Sequence, residues 1–402
     1  IETKNANLTL GKALSLTSGS ITSTGGTLSF SDNLTLGSSG ALDVTGSTLS
    51  VGQALDLSSG TFSSDNSSML DLQAATTLSA NDQVTGQNPV TFEDVHFNGN
   101  VLTLGSASTH LKVNDALALS GIALETGAGS LTLSGALALT DNASLNSSGG
   151  TITLVSGASA PSGTSISIPD TTLVLENPLS LTGATLKTNS TTFTTNANAL
   201  TLSGGILEVA GVQDLGGVLP DNSTTLRLAA NSTIDDNASL SVGTLDLANF
   251  ALTLDNAMAG LSIAQPVTLD AAGEKIVTGN ADLTLNGGIS ATAGTLSSTG
   301  GTLSLPIGAT LASGASFSTS NTTINLGGSL AVAGTWTSTN TSILLTGNAS
   351  LSSAEEMSLA SLQTNGHDFE LASVTSDLTI ENAFALSGDE TLSTQGADLI
   401  FE

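Results

Sequence analysis

Leucine returns about every twenty residues along this chain, each time inside a short apolar–polar–apolar triplet. Leu8, Leu28, Leu49 and Leu70 are spaced 20, 21 and 21, in the triplets Leu8-Thr9-Leu10, Leu28-Ser29-Phe30, Leu49-Ser50-Val51 and Leu70-Asp71-Leu72. Two further columns keep step: Leu14, Leu34 and Leu55, then Ile21, Leu42 and Phe62. Alternation with period two puts the apolar side chains of each triplet on one face and the polar one on the other, which predicts a short strand. Three short strands therefore recur in fixed order once per ~20 residues. A period of that size is the signature of a solenoid, in which each coil buries its apolar face against its neighbours.

The register persists. Leu131, Ile152, Leu173 and Phe193 form one column, and Leu145, Ile166, Leu186 and Ile206 another. Towards the C-terminus the columns are Leu283, Leu303, Ile324 and Ile343; Ile289, Leu311, Leu330 and Leu351; and Leu296, Phe317, Trp336 and Met357. In the third, one large inward residue is flanked by polar ones, so Phe317 and Trp336 are expected to stack one coil apart in the core. The corners are rich in Gly, Asn, Ser and Asp, which tolerate positive φ. A hairpin meander accommodates the triplets but not three columns of one shared period, and the six-to-eight-residue strand spacing disfavours a left-handed hexapeptide helix. The predicted fold is all-β: a right-handed parallel β-helix with three strands per coil. At roughly twenty coils stacked about 4.8 Å apart, its length is on the order of 95 Å.

One continuous solenoid over 1–402 is the simplest domain count. The columns blur near 79–100, 155–170, 210–236 and 256–280, where five of the seven prolines fall: Pro89, Pro161, Pro169, Pro220 and Pro266. Proline cannot donate to a ladder, so loops swelling from the coils are expected there. Neither end shows a capping helix. The expectation is a chain cut from a longer protein or capped by its own neighbours, its leader already removed.

Charge narrows the partners. Thirty-four acids face six bases, a net charge of −28, and there is no Cys. This argues against nucleic acid and anionic membranes, and no apolar stretch is long enough to insert into a bilayer. Few bases and no thiols suit a life outside the cell. The charge is uneven: residues 283–354 carry no charged side chain, whereas 355–402 carry ten acids and no base. An uncharged band beside an acidic end is a candidate packing face, and neutral Ser/Thr ladders are also ordinary outer strands.

Catalytic chemistry is thin. The chain has one Arg, no Tyr and one Trp, and that Trp falls in an inward column. The closest carboxylate pairs, Asp235-Asp236 and Glu355-Glu356, would point to opposite faces of a strand. No catalytic, cofactor-binding or metal-binding residue is assigned, and the chain is read as a non-enzyme. His96 follows Glu93-Asp94 without a second nearby His and is expected in a solvated loop. Asp-Asn recurs at 32–33, 65–66, 141–142, 221–222, 236–237 and 255–256. Such corners fit turn chemistry, with weakly bound Ca²⁺ as the alternative. The Asn-x-Ser/Thr triplets beginning at Asn7, Asn33, Asn189 and Asn348 overlap strands and carry little weight for glycosylation. The pairs Thr295/Ser297, Ser316/Ser318 and Thr335/Thr337 would form a short outward hydroxyl array; ladder hydrogen bonding explains it more plainly than ice binding.

The segments Gly26-Thr27-Leu28-Ser29-Phe30, Gly150-Thr151-Ile152-Thr153-Leu154 and Gly301-Thr302-Leu303-Ser304-Leu305 resemble the repeats of filamentous-haemagglutinin-like and autotransporter-type bacterial β-helix adhesins. The resemblance covers nearly the whole chain and is one of pattern and composition. It implies export, a bacterial cell-surface or extracellular location, and a stalk or adhesive role; neither the secretion domain nor the β-barrel translocator of those families is seen. Two uses compete. In the first, the chain is a subunit of a self-associating surface fibre, sheath or array, and its main partner is itself. In the second, it is an adhesin stalk whose irregular loops meet glycans or another cell, with Pro220 and Arg227 as the residues to test. A polysaccharide-degrading β-helix ranks behind both.

Overall fold

The computed structural model describes residues 1–80, 89–235, 239–255, 260–372 and 376–402. The chain is all-β, with parallel coils of about 21 residues stacked into a β-solenoid of about 18 turns. It divides into two compact units, Ile1–Gly205 and Ile206–Glu402.

In the first unit the strands Leu8–Leu10, Thr27–Phe30, Thr48–Val51, Met69–Leu72 and Asp94–His96 form one parallel ladder. Its register sets Leu8 on Leu28, Leu28 on Leu49 and Leu49 on Leu70, the column expected from spacing. Leu14, Leu34 and Leu55 stack likewise, as do Ile21, Leu42 and Phe62. Further along, Leu131, Ile152, Leu173 and Phe193 are aligned, and Leu145, Ile166 and Leu186 beside them. Apart from the half-buried Leu8 and Leu14, these leucines are at most 1% exposed. Removing a leucine-sized side chain from water contributes about 1.5–3 kcal/mol, and each coil repeats the gain.

Two expected column members are displaced. Ile206 is half-buried, while its neighbour Leu207 is fully buried and pairs with Leu226. With Leu207 and Val209 inward, Glu208 points out; the other register, one residue away, would bury its carboxylate. In the second unit Ala309, not Leu311, lies between Ile289 and Leu330. Leu311 stays inward but sits two places along, between Ala291 and Val332. Gly308 opens that strand, and its Cβ position lies 2.0 Å from the Ser329 carbonyl oxygen, so only glycine fits.

The second unit is built on three ladders. One contains Asp282–Leu285, Thr302–Leu305, Thr323–Leu326 and Ser342–Leu345; a second contains Ile289–Ala291, Gly308–Leu311, Ser329–Val332 and Ala349–Ser353; the third contains Lys275–Thr278, Thr295–Ser298, Ser316–Ser320 and Thr335–Thr339. Phe317 and Trp336 stack as expected, with ring centroids 5.2 Å apart. Met357 is buried one coil further on, where the Ser358 carbonyl accepts a hydrogen bond from Ser338 Oγ.

The irregular stretches are tighter than their prolines suggest. Over 155–170, Ala158–Ala160 and Ser165–Ser167 are strands in unbroken register, and Pro161 and Pro169 mark the corners. Over 210–236, a register shift between Val209 and Gly211 is followed by regular pairing of Gly211–Gln213 with Ser232–Ile234. Among the described residues the longest spacings are Thr76 to Leu102, Met69 to Asp94 and Leu252 to Ile276, at 26, 25 and 24 residues, and in these stretches 81–88 and 256–259 lie outside the described residues.

A corner motif recurs that the apolar columns do not announce. In Ser23-Thr24-Gly25-Gly26-Thr27, Ser147-Ser148-Gly149-Gly150-Thr151 and Ser298-Thr299-Gly300-Gly301-Thr302, the first Ser is buried and donates to the carbonyl two residues ahead, at 2.6, 2.7 and 2.9 Å. The second Gly has φ of 74°, 69° and 61°. A hydroxyl of the next coil closes each arrangement: Ser47 on Ser23 at 2.9 Å, Thr171 on Ser147 at 2.9 Å, Thr322 on Ser298 at 3.0 Å. Polar groups inside the coil are thus paired, as burial demands.

Candidate interaction surface

The side chains facing outward in the second unit come from the alternate positions of its three ladders. Over 283–354 they include Thr284, Ser304, Asn325 and Leu344 on the first; Ser290, Thr310, Ala331 and Ser352 on the second; and Thr295/Ser297, Ser316/Ser318 and Thr335/Thr337 on the third. The expected hydroxyl array is therefore real: Thr295, Ser316 and Thr335 are in register, as are Ser297, Ser318 and Thr337. Below it the same positions hold Lys275 and Val277, which end the array. The uncharged band is a girdle on all three faces. Its second ladder carries an apolar groove of about 500 Å³ lined by residues that include Ala312, Ala331, Val332, Ala333 and Ala354. A neighbouring hollow on the same face is lined by Thr310 and Ile307, whose side chain is 63% exposed.

The charged candidates scatter. Arg227 Nε donates to Asp246 Oδ2 at 2.9 Å across one coil, and Glu208 precedes Arg227 in the same register. Both partners of that pair are about 40% exposed, so it stabilises by no more than about 1 kcal/mol. Pro220 is buried at the end of Val218–Pro220, and so offers no exposed contact; Leu219 and Val212 are the exposed residues there, at 51% and 62%. His96 lies on a strand rather than in a loop, with Nε2 3.0 Å from Asp94 Oδ2 and in register with Asp71. Glu355 and Glu356 are both exposed at a corner instead of alternating on a strand. Among the described residues, no three of His, Asp and Glu come together as a metal-holding group.

The Asp-Asn corners are occupied by backbone capping. Asp65 Oδ1 accepts from Ser67 N, Ser67 Oγ, Ser68 Oγ and Gly46 N. Burial is the largest single influence on its carboxyl and pushes the pKa up; the hydrogen bonds from Ser67, Ser68 and Gly46 together outweigh it and hold the pKa below the usual value. Asn33 Oδ1 accepts from Ala54 N, Asp141 and Asn142 both take positive φ, and Asn222 Oδ1 accepts from Ser241 Oγ. Asp236, Asn237 and Asn256 lie outside the described residues, so the pairs they belong to are not placed. Several Asn-x-Ser/Thr triplets are explained the same way. In Asn321-Thr322-Thr323 and Asn340-Thr341-Ser342 the Asn turns the corner at positive φ, the Thr hydroxyl is buried, and the strand begins. The two asparagines stack, Asn340 Nδ2 donating to Asn321 Oδ1 at 2.8 Å.

The buried hydroxyls are what spacing analysis missed. Inward positions after the large residue of the third column hold Ser298 and Thr319, each 1% exposed, and Trp336 Nε1 donates to Thr319 Oγ1 at 3.3 Å. The available signal was a Ser or Thr directly before each strand, as in Ser47-Thr48-Leu49 and Thr171-Thr172-Leu173.

Comparison of the chain with protein-family models, with curated proteins and with solved structures finds no match. The likeness to haemagglutinin-like and autotransporter repeats accordingly rests on repeat pattern, with a parallel β-solenoid as the part the fold supports. Among the described residues no helix is long and apolar enough to cross a membrane.

Proposed function

We propose that the chain is a structural, non-enzymatic β-solenoid that works outside the cell and associates with copies of itself through the uncharged girdle of its second unit. One observation carries the reading. A chain of net charge −28 sets 72 consecutive residues, 283–354, entirely without charge, on coils whose outward positions are mostly Ser, Thr, Asn and Ala, with Leu344 and Ile307 among them. Copies of an acidic protein repel at long range, and an uncharged surface is where approach costs least. Export and a bacterial surface location follow from the resemblance of the repeats to adhesin stalks. The absence of Cys and the scarcity of bases are consistent with it.

Electron microscopy and sedimentation of the purified chain, in low salt and again in physiological salt, test this reading. Ordered assemblies or dimers that a lysine on one face of the girdle abolishes, either Thr335→Lys on the third ladder or Ala333→Lys beside the second, are the expected result; both positions are exposed, so the changes leave the fold alone. Single particles at every concentration and salt level would refute it.

The adhesin reading is favoured by Val212 and Leu219, two large apolar side chains exposed within ten residues of each other. Under it, Leu219→Asp or Arg227→Ala abolishes binding to a glycan array or to cells while leaving assembly unchanged.

A further inference from the structure

We infer that self-association uses one face of the girdle and a reciprocal knob-and-groove contact: Ile307 of each copy enters the alanine-lined groove of the other. This rests on the self-association proposed above and specifies its site. Ile307 is 63% exposed, in a chain whose other aliphatics are mostly buried, and it stands where the chain enters Gly308–Leu311. The groove lies where the same ladder's chains leave, walled by Ala312, Ala333 and Ala354 with Val332 at its floor. Knob and groove share Thr310 as a common wall. They therefore lie on one face, at opposite edges of the ladder.

That placement suits a two-fold axis lying in the plane of the face, between knob and groove. An isologous contact requires that residue i of one copy meet residue j of the other while j meets i, and a knob and a groove on opposite sides of the axis satisfy this. The occupant is a second copy because the face is uncharged: a strongly acidic chain meets its own kind best where both surfaces are neutral, whereas a basic partner would be drawn to the acids of 355–402. Apolar side chains fill the groove without leaving an unpaired polar group. Four coils about 4.8 Å apart and about 17 Å across give on the order of 330 Å² per partner, less than half the area of a standard stable interface, so the contact is weak and is populated at high concentration or along an array.

The test is sedimentation equilibrium of the full chain over a wide concentration range. Ile307→Asp and Ala333→Lys, both at exposed positions, are each expected to weaken association by about 100-fold, the effect of pressing an unpaired charge against apolar groups. Mixing the two variants should restore it, because the mixed pair has one native contact and one Asp–Lys contact. If both variants associate like the parent while Thr335→Lys blocks assembly, the girdle is used but this face is not, and the knob-and-groove inference falls alone. If the parent chain stays monomeric throughout, the inference and the self-association reading fall together.

Discussion

Gly301 is where the coil-to-coil fit is tightest in a recurring motif, and replacing it with alanine gives a graded measurement of that fit. Its φ of 61° lies in the left-handed region, which costs a residue with a Cβ roughly 1–2 kcal/mol. An added Cβ would also sit 2.5 Å from the Asn280 carbonyl oxygen and 2.9 Å from that of Ala281, both main-chain atoms of the coil below. Main chain held in a stacked coil yields less readily than the end of a side chain, and forced overlap of this kind costs about 1–3 kcal/mol. The smaller entropy of the unfolded alanine chain offsets about 0.4–1 kcal/mol. The net expectation for Gly301→Ala is a loss of about 2–4 kcal/mol.

Two neighbours separate the contributions. Gly366 has φ 81° with nothing within 4 Å of its Cβ position, so Gly366→Ala meets only the backbone cost and should lose about 1 kcal/mol or less. Gly300 has an ordinary φ and meets the end of the Asn280 side chain rather than main chain, so Gly300→Ala should cost less than Gly301→Ala, about 1 kcal/mol. Trp336 is the only tryptophan of the chain and stacks on Phe317 within the same unit, so its fluorescence in urea reports this region. With a slope of about 2 kcal/mol per molar urea, Gly301→Ala should lower the midpoint by about 1–2 M. Equal midpoints for the alanine variants at 301 and 366 would refute the reasoning, because the overlap with the coil below would then cost nothing.

Two further outcomes follow from the corners. Thr322→Val keeps the shape but removes the hydroxyl that meets Ser298 Oγ, Ser298 O and Ser320 O; it should cost about 1–3 kcal/mol, against less than about 0.5 kcal/mol for Thr323→Val, both read from urea midpoints. For Asp65 the folded pKa lies below the unfolded one, so its stabilisation is fully present above the ordinary carboxylate range and is lost as pH falls through the folded value. Exchange protection of the Gly46 and Ser67 amides should therefore drop in acid for the parent chain and be low at every pH in Asp65→Ala; a parent chain whose protection is indifferent to pH would overturn the assignment.

Most of the fold was legible because a solenoid repeats its constraints. A column such as Leu8, Leu28, Leu49 and Leu70 states the same inward position four times, so spacing alone recovers the register. The failures came where one coil departs from the average. Leu207 replaced Ile206 because Glu208 had to face water, a local cost that a count of twenty cannot see. Ala309 took the place of Leu311 because both are inward, two residues apart, and spacing alone cannot choose between them. The prolines at 161 and 169 suggested swollen loops, yet a corner needs no ladder donor and proline is at home there. The buried Ser298 and Thr322 were hidden because a hydroxyl is read as outward until its carbonyl partners are known. The uncharged girdle could be seen in sequence, but the placing of Ile307 and the alanine groove on one face required the ladders.

The ladders also explain how so acidic a chain stacks at all. Each outward residue is repeated about 4.8 Å away in the next coil, so a column of carboxylates would repel well within the Debye length of about 8 Å at physiological salt. Within the strands the registers mostly avoid this, and carboxylates of adjacent coils meet at strand ends, as Asp235 with Asp255 and Asp377 with Asp398. Asp43 lies between Thr22 and Ser63, Asp56 between Thr35 and Ser79, Asp71 between Ser50 and His96, and Glu370 between Ser350 and Ser393. Glu125 lies between Thr103 and Asn146, and Asn146 Nδ2 donates to it at 2.8 Å. Arg227 separates Glu208 from Asp246. Like charges in these columns are thus at least two coils, about 10 Å, apart, beyond the screening length. Charge repulsion then costs these strands little, and salt should change their stability only slightly, its effect being largest where Asp377 meets Asp398. The same charge still acts between molecules in low salt, where the screening length grows to about 30 Å at 0.01 M. A surface array made of this chain would accordingly depend on ionic strength for its assembly and much less for its fold, and the uncharged girdle is the part of the surface where that dependence is weakest.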